Sequence, residues 1–359
     1  MGCHPLDNAD IAELLAVAST SAKYPLQKAL RRASRRALMW PEEAAAIHAA
    51  GRSLTELAGV GPHLERIIRG WLHEPPPIPE SPPIRAEFLT LPAARAILSR
   101  EPAWASRLRG DLQTHSVWSD GSGTIAEMAD AAAERGYEYI AITDHAQSLK
   151  IAGGIDARQL RRQAKEIDSV NGALVTAGRR TRVLRSIELN LNPQGEGDMP
   201  AAALAALDVV LGCFHSALRK SEDQTERYLR ALRNPEIQIL GHPRGRIYNF
   251  RLGLTADWMR VFEVAAELDK AVEIDAYPDR QDLSFDLIRL AAESDEHIAE
   301  NVRMASDAGE HALEHAQCFV LRKRAAAFVR EGDHAIHMRK IARERFGFET
   351  LRDVLRNRR

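Results

Sequence analysis

Apolar residues recur every three or four positions through the first seventy residues. "DIAELLAVAST", "PLQKALRRASRRAL", "PEEAAAIHAAG" and "HLERIIRGWL" each gather them on one face of a helix. Asp10 and Pro41 are start signals for two of these segments. The pattern predicts a small all-α domain over residues 1–74. It stops at "PPPIPESPP", residues 75–83. So many prolines fit neither a helix interior nor a sheet interior, so 75–107 reads as a semi-rigid linker and a domain boundary.

Beyond residue 107 the period changes. Short apolar runs end at Leu112 and cover 139–143, 182–191, 208–214, 237–240, 271–276 and 302–306. Amphipathic stretches lie between them, among them 124–135, 157–170, 222–233 and 281–293. Strand and helix in alternation imply parallel strands joined by crossover helices. About seven such units in roughly 250 residues suit a β/α barrel better than an open doubly wound sheet, which stays the alternative.

Chemistry clusters where these runs end. The first leads to His115 and Asp120, the second to Asp144 and His145. The third carries Glu188, the fourth leads to His215, the fifth to His242. The sixth holds Glu273 and Asp275, and the seventh leads to Asp307. In a parallel barrel all these ends open on one face. Imidazoles and carboxylates are ligands for divalent Zn, Mn and Fe, and so many on one rim would be costly to bury unligated. They exceed the needs of one four-coordinate ion, so two or three metals are expected. Such clusters hydrolyse phosphate esters. "GSG" at 121–123 lacks the Lys and spacing of a phosphate-binding P-loop and reads as a turn.

Composition narrows the classes. The net charge of -1 gives no global pull toward nucleic acid, so any basic surface is local. One exists: residues 23–36, "KYPLQKALRRASRR", hold six Lys or Arg and no acid. No run of eighteen apolar residues predicts a membrane span. The N-terminus lacks the pattern of a secretory signal, and "MGC" is followed by Leu6 where an acylation signal needs Ser or Thr. Cys3, Cys213 and Cys318 are too widely spaced for a disulfide framework or a thiolate zinc motif. A reducing cytoplasm is the expected location.

The ordered set "GDLQTHSVWSDG", "AITDHA", "SIELN", "FHSALRK", "LGHPRGR", "EIDAYPDRQDL" and "ASDAG" resembles the PHP (polymerase and histidinol phosphatase) domain. The form it resembles most is the C-terminal exonuclease domain of bacterial family X DNA polymerases, from about residue 108 onward. The resemblance implies a distorted seven-stranded α/β barrel with a trinuclear centre using Mn2+ or Zn2+. It implies one site of His115, Glu188 and Asp307, and a second in which bridging Glu188 joins His215 and His242. Asp120 and His145 would serve a third. Glu188, His215 and Asp307 would carry catalysis, and Arg244, Arg246 and Arg280 would hold phosphate. Two positions depart from the pattern. Gln113 stands where the first His of His-x-His often is. Asp307-Ala308-Gly309 replaces the usual Asp-Ala-His, which removes a ligand of the third metal, with His311 and His315 the nearest substitutes.

"LTELAGVGPHLERIIRGWL" resembles a helix-hairpin-helix motif, and the wider stretch 8–73 the small N-terminal domain of family X polymerases. Gly59 and Gly61 of the hairpin, with Lys28, Arg31, Arg32 and Arg35 of the basic stretch, are then the expected DNA contacts. The helix after the hairpin has no Lys, so no Schiff-base lyase chemistry is expected. In the polymerases a nucleotidyl-transfer core separates the two parts, whereas here only 75–107 does. The leading reading is a metal-dependent phosphoesterase on DNA, a 3′–5′ exonuclease or abasic-site endonuclease of DNA repair. The alternatives are a phosphomonoesterase on a small ester, and a DNA-binding protein whose barrel has lost its chemistry.

Overall fold

The computed structural model describes residues 5–100, 109–294 and 318–321. The helical part comprises α1 (Asn8–Ser21), α2 (Leu26–Ala37), α3 (Ala44–Ala49) and α4 (Pro62–His73), with a 3-10 turn over Leu54–Glu56. α1 starts two residues before the expected signal. Asp7 is its cap, accepting from the Asp10 backbone N–H, and Asp10 returns a bond to the Asp7 N–H. α3 likewise begins at Ala44 rather than at Pro41. Ile11, Leu15, Leu30, Trp40, Leu54 and Ile68 close a shared core.

That core also takes in Tyr248 from the second half of the chain. The Tyr248 ring meets Phe88 edge-on at 5.1 Å. Arg85, just past the prolines, pairs with buried Glu13 of α1 at 2.7 Å. The Leu91 N–H donates to the Leu38 carbonyl at 2.9 Å, and α5 (Leu91–Leu98) follows. The Pro-rich stretch is therefore pinned at several points between the two halves.

The second half alternates β1 (Gly110–Thr114), α6 (Ile125–Glu134), β2 (Tyr139–Ile142), α7 (Ala157–Thr176), β3 (Arg182–Arg185), β4 (Glu188–Asn190), α8 (Ala201–Leu204), β5 (Leu211–Cys213), α9 (Thr225–Arg233), β6 (Ile239–Gly241), α10 (Trp258–Glu267), β7 (Ala271–Asp275), α11 (Phe285–Ser294) and β8 (Cys318–Leu321). The run 182–191, expected as one strand, divides at Ser186–Ile187. β3 pairs with β2 on one side and β4 with β5 on the other, both parallel. A parallel bridge between His145 and Glu188 joins the two sheets across that break. β5, β6 and β7 continue in parallel. β8 departs from the all-parallel expectation, because it pairs antiparallel with β7. The expected strand 302–306 lies outside the described residues.

Leu112, Ala141, Leu184, Leu211, Ile239 and Ala271, drawn from six strands, pack in one cluster. Residues of the first and the late strands meet only if the sheet curls inward. β8 lies beside β1, and no ladder joins the two among the described residues. The sheet is thus a curled, mixed α/β structure with parallel strands, and its C-terminal strand ends face the helical half. No helix of the described residues is long and apolar enough to cross a membrane.

Candidate metal centre

The loop after β1 is shaped by local chemistry. The Ser116 carbonyl accepts from the Ser119 and Gly121 N–H groups, and the Val117 N–H reaches the Gly123 carbonyl. A Cβ at Gly121 would collide with the His115 carbonyl, so only glycine permits this turn. Asp144, at the end of β2 and fully buried, holds the loop from beneath. It accepts from the Ser116 N–H at 2.8 Å, from the Ser116 hydroxyl at 2.6 Å, from the Ser119 hydroxyl, and from Gln163 of α7 at 2.6 Å. Asp144 thus fixes the loop that carries His115 and Asp120.

Six of the seven expected ligands converge. Glu188, 1% exposed, is the centre. Its Oε1 lies 2.7 Å from His215 Nε2, 3.0 Å from His242 Nε2 and 3.6 Å from His145 Nδ1. Its Oε2 lies 3.3 Å from His115 Nε2. Asp120, exposed, closes the outer side at 3.6 Å from His145 Nε2 and 3.9 Å from His115 Nδ1. The His115 and His145 rings stack at 4.5 Å. Gln113, at the position of the departing first His, donates to Glu188 Oε2 at 2.5 Å. Asp307, Gly309, His311 and His315 lie outside the described residues.

Burial and charge act against each other here. Burial pushes the Glu188 carboxyl up, but hydrogen bonds from His215 and His242 outweigh it and hold the group well below the usual range. Burial pulls His145 down, toward the neutral form that ligates metals. Burial pulls His242 down as well, and contacts with Cys213 and Glu188 raise it well above its ordinary value. The donor set suits divalent metals. Buried His115 Nδ1, His145 Nδ1 and His215 Nδ1 have no hydrogen-bond partner. His115, His145 and Glu188 present ligand atoms within 4.8 Å of one another, as do Glu188, Cys213 and His242.

Spacing along the chain does not reveal Cys213 as a member of this cluster. Alternation supplies the missing signal: on a strand, residues two apart share a face, and Cys213 stands two before His215. The same rule aligns Glu273 with Asp275 on β7. Glu273 is buried and accepts from the His242 N–H. Burial, with Asp275 beside it, pushes its carboxyl up to about 8, and burial pushes Asp275 to about 6.

The centre opens into a cleft of about 1420 Å3 whose far wall is α2. Lys28, Arg31, Arg32 and Arg35 all line it. Gly59, at φ +86°, and Gly61, the cap of α4, lie instead in a neighbouring hollow of about 520 Å3 that shares Lys28 and Arg32. Of the three arginines expected to hold phosphate, Arg280 faces the cleft. Arg244 and Arg246 do not, which corrects that expectation. Arg244 donates to the Leu252 and Leu254 carbonyls and to Ser284. Arg246 is buried, donates to the Ala86 and Glu87 carbonyls and stacks on Phe88 at 3.9 Å. Arg219 and Arg251 stand at the cleft in their place.

A curled parallel sheet with His and carboxylate side chains gathered at its C-terminal strand ends defines an α/β protein with a rim of candidate metal ligands. Residues 111–281 match the PHP domain, and the chain carries a PHP domain. It is similar to the DNA polymerase/3′-5′ exonuclease PolX of Bacillus subtilis, 37% identical over 207 residues, which are 56% of this chain and 36% of that protein. It is also similar to a probable phosphatase of Caldanaerobacter subterraneus subsp. tengcongensis, 30% identical over 174 residues, 47% of this chain and 62% of the relative. A probable phosphatase of Photobacterium profundum is 30% identical over 169 residues, with 46% and 62% covered. The chain thus spans about a third of the polymerase and about three-fifths of these phosphatases.

Proposed function

We propose that this protein is a metal-dependent phosphoesterase acting on DNA, a 3′–5′ exonuclease with abasic-site cleavage as an extension of the same chemistry, in DNA repair. The observation that carries the reading is the joining of two features in one cleft: the His and carboxylate rim around Glu188, and the basic face of α2 opposite. Similarity to a polymerase/exonuclease supports it. Residues 1–74 would serve as a DNA-holding helical domain, 75–107 as the connection and 108–359 as the hydrolytic domain.

His115, Asp120, His145, Glu188, His215, His242 and Asp307 would hold two or three Mn2+ or Zn2+ ions, with Glu188 between sites. Bound divalent ions would supply charge to polarise a phosphoryl oxygen and acidify a water. The chain does the rest. Depressed Glu188 stays ionised across the physiological range and keeps His215 and His242 oriented toward it. Asp144 holds the 115–120 loop in register. Arg280, with Arg251, offers guanidinium groups to the substrate phosphate.

The test is a nuclease assay on stripped protein reloaded with Mn2+ or Zn2+, with end-labelled single-stranded and primer-template DNA. Stepwise loss from the 3′ end, abolished by His145→Ala and by His215→Ala, is expected. The phosphatase relatives favour a second reading, a phosphomonoesterase on a small ester. Turnover of p-nitrophenyl phosphate with no cleavage of DNA would replace the first reading with that one. DNA binding with neither activity would mark a barrel without chemistry.

A further inference from the structure

The lip of the cleft carries a feature that hydrolysis does not require. Residues 247–251 form a tight reversal closed by an Ile247–Arg251 bridge. The reversal is held rigidly: the Asn249 N–H donates to the Ile84 carbonyl, and Arg85 donates to Asn249 Oδ1 at 3.2 Å. At its tip Phe250 is 54% exposed, with the Arg219 guanidinium 4.5 Å from its ring centre. Tyr277, 36% exposed, lines the same cleft. Exposing a phenyl ring on a fixed loop loses hydrophobic stabilisation, and no core packing compensates for it. A flat ring backed by a guanidinium is what an unstacked nucleobase needs.

Across the cleft, α2 is locked to the rest of the protein. Leu30, Ala33 and Ala37 are buried, the Ser34 hydroxyl donates to the Ala12 carbonyl at 2.8 Å, and Arg35 pairs with Asp279. The outer face presents Lys28, Arg31, Arg32 and Arg36, all exposed. Their spacing of three and four residues puts them on one stripe. None pairs with a carboxylate among the described residues. Like charges in such a row repel, and a row of phosphates relieves them.

We propose that Phe250, Arg219 and Tyr277 form a base-stacking subsite, and that Arg31, Arg32 and their neighbours on α2 hold the flanking phosphates, so that the cleft selects a nucleic-acid strand over a small ester. The proposal rests on the reading of a DNA phosphoesterase and adds how the strand is held. It makes the helical half a wall of the hydrolytic site rather than a separate tethered module.

The experiment measures binding by fluorescence anisotropy on the full chain with Mn2+. The probes are a labelled phosphorothioate-linked 12-nucleotide strand and an abasic strand of the same length. Phe250→Ala is expected to weaken binding of the base-bearing strand about ten-fold and the abasic strand little, with Phe250→Trp restoring it. Arg31→Gln/Arg32→Gln is expected to weaken both strands and to lower the log–log salt slope by about 1.4, at ~0.7 per phosphate contact. Arg158→Gln/Arg161→Gln, exposed on α7 outside the cleft, should bind both strands as the parent does. Equal effects of Phe250→Ala on the two strands would overturn the stacking subsite, and an unchanged slope in the α2 variant would overturn the phosphate track. A parent protein that binds neither strand would instead remove the DNA reading beneath both.

Discussion

Replacing Asp144 by Ala removes no expected metal ligand, yet it should disable the centre. The carboxylate is fully buried and receives four hydrogen bonds, from the Ser116 N–H, the Ser116 and Ser119 hydroxyls and the Gln163 amide. Ser116 and Gln163 are themselves buried. Removing the acceptor leaves three donors on those two residues short of a partner, at about 1–3 kcal/mol each. The Ser116 oxygen goes on accepting from the Trp118 N–H, which leaves the hydroxyl proton without a partner, and water entering the void recovers part of the loss. We expect a net cost of about 4 kcal/mol, read from the urea midpoint at unchanged slope. Asp144→Asn should cost about 2 kcal/mol, because the amide oxygen accepts on one side while its NH2 opposes donors on the other. The same change loosens the loop that carries His115 and Asp120, so metal affinity should fall about 10- to 100-fold, measured by competition with a chelating dye. A variant within ~1 kcal/mol of the parent and equal to it in metal affinity would refute the role assigned to Asp144.

Other outcomes follow from the same geometry. Glu273 ionises near its ordinary value of about 4.3 in the unfolded chain and near about 8 in the folded protein. The native state therefore holds a proton that the unfolded state releases between those values, and metal-free protein should lose stability as pH rises through this window. Glu273→Gln should flatten that loss, and an unchanged pH dependence of melting would count against it. Gly59→Ala should cost about 1 kcal/mol, from its φ of +86° alone, since the added Cβ meets Arg36 and Ala33 only at ordinary contact distances. A melting temperature equal to the parent's would show that the turn relaxes. Adding Mn2+ or Zn2+ at 100 times Kd should stabilise the parent by about 2.7 kcal/mol, seen as a rise in melting temperature, and His242→Ala should diminish it. The absence of any rise in the parent would show that these side chains do not form a metal site.

Much of this molecule could be read along the chain. Three-and-four periodicity located α1 to α4, and the change to short apolar runs located β1, β2, β5, β6 and β7, because burying one face imposes those periods locally. The rim residues His115, Asp120, His145, Glu188, His215 and His242 were legible because each follows a strand or opens one. Parallel strands carry such positions to the same edge. Other features depended on contacts between distant segments. The break between β3 and β4, the antiparallel pairing of β8 and the burial of Arg246 against Phe88 leave no periodic trace. Asp144 and Cys213 took their places only once the loop, the strand face and α7 were assembled around them. The position of α2 across the cleft, set by Tyr248, Arg85 and the Arg35–Asp279 pair, was equally out of reach. Local pattern reports which face of an element avoids water; which element that face meets is a long-range choice, and it decided what surrounds the candidate metal centre.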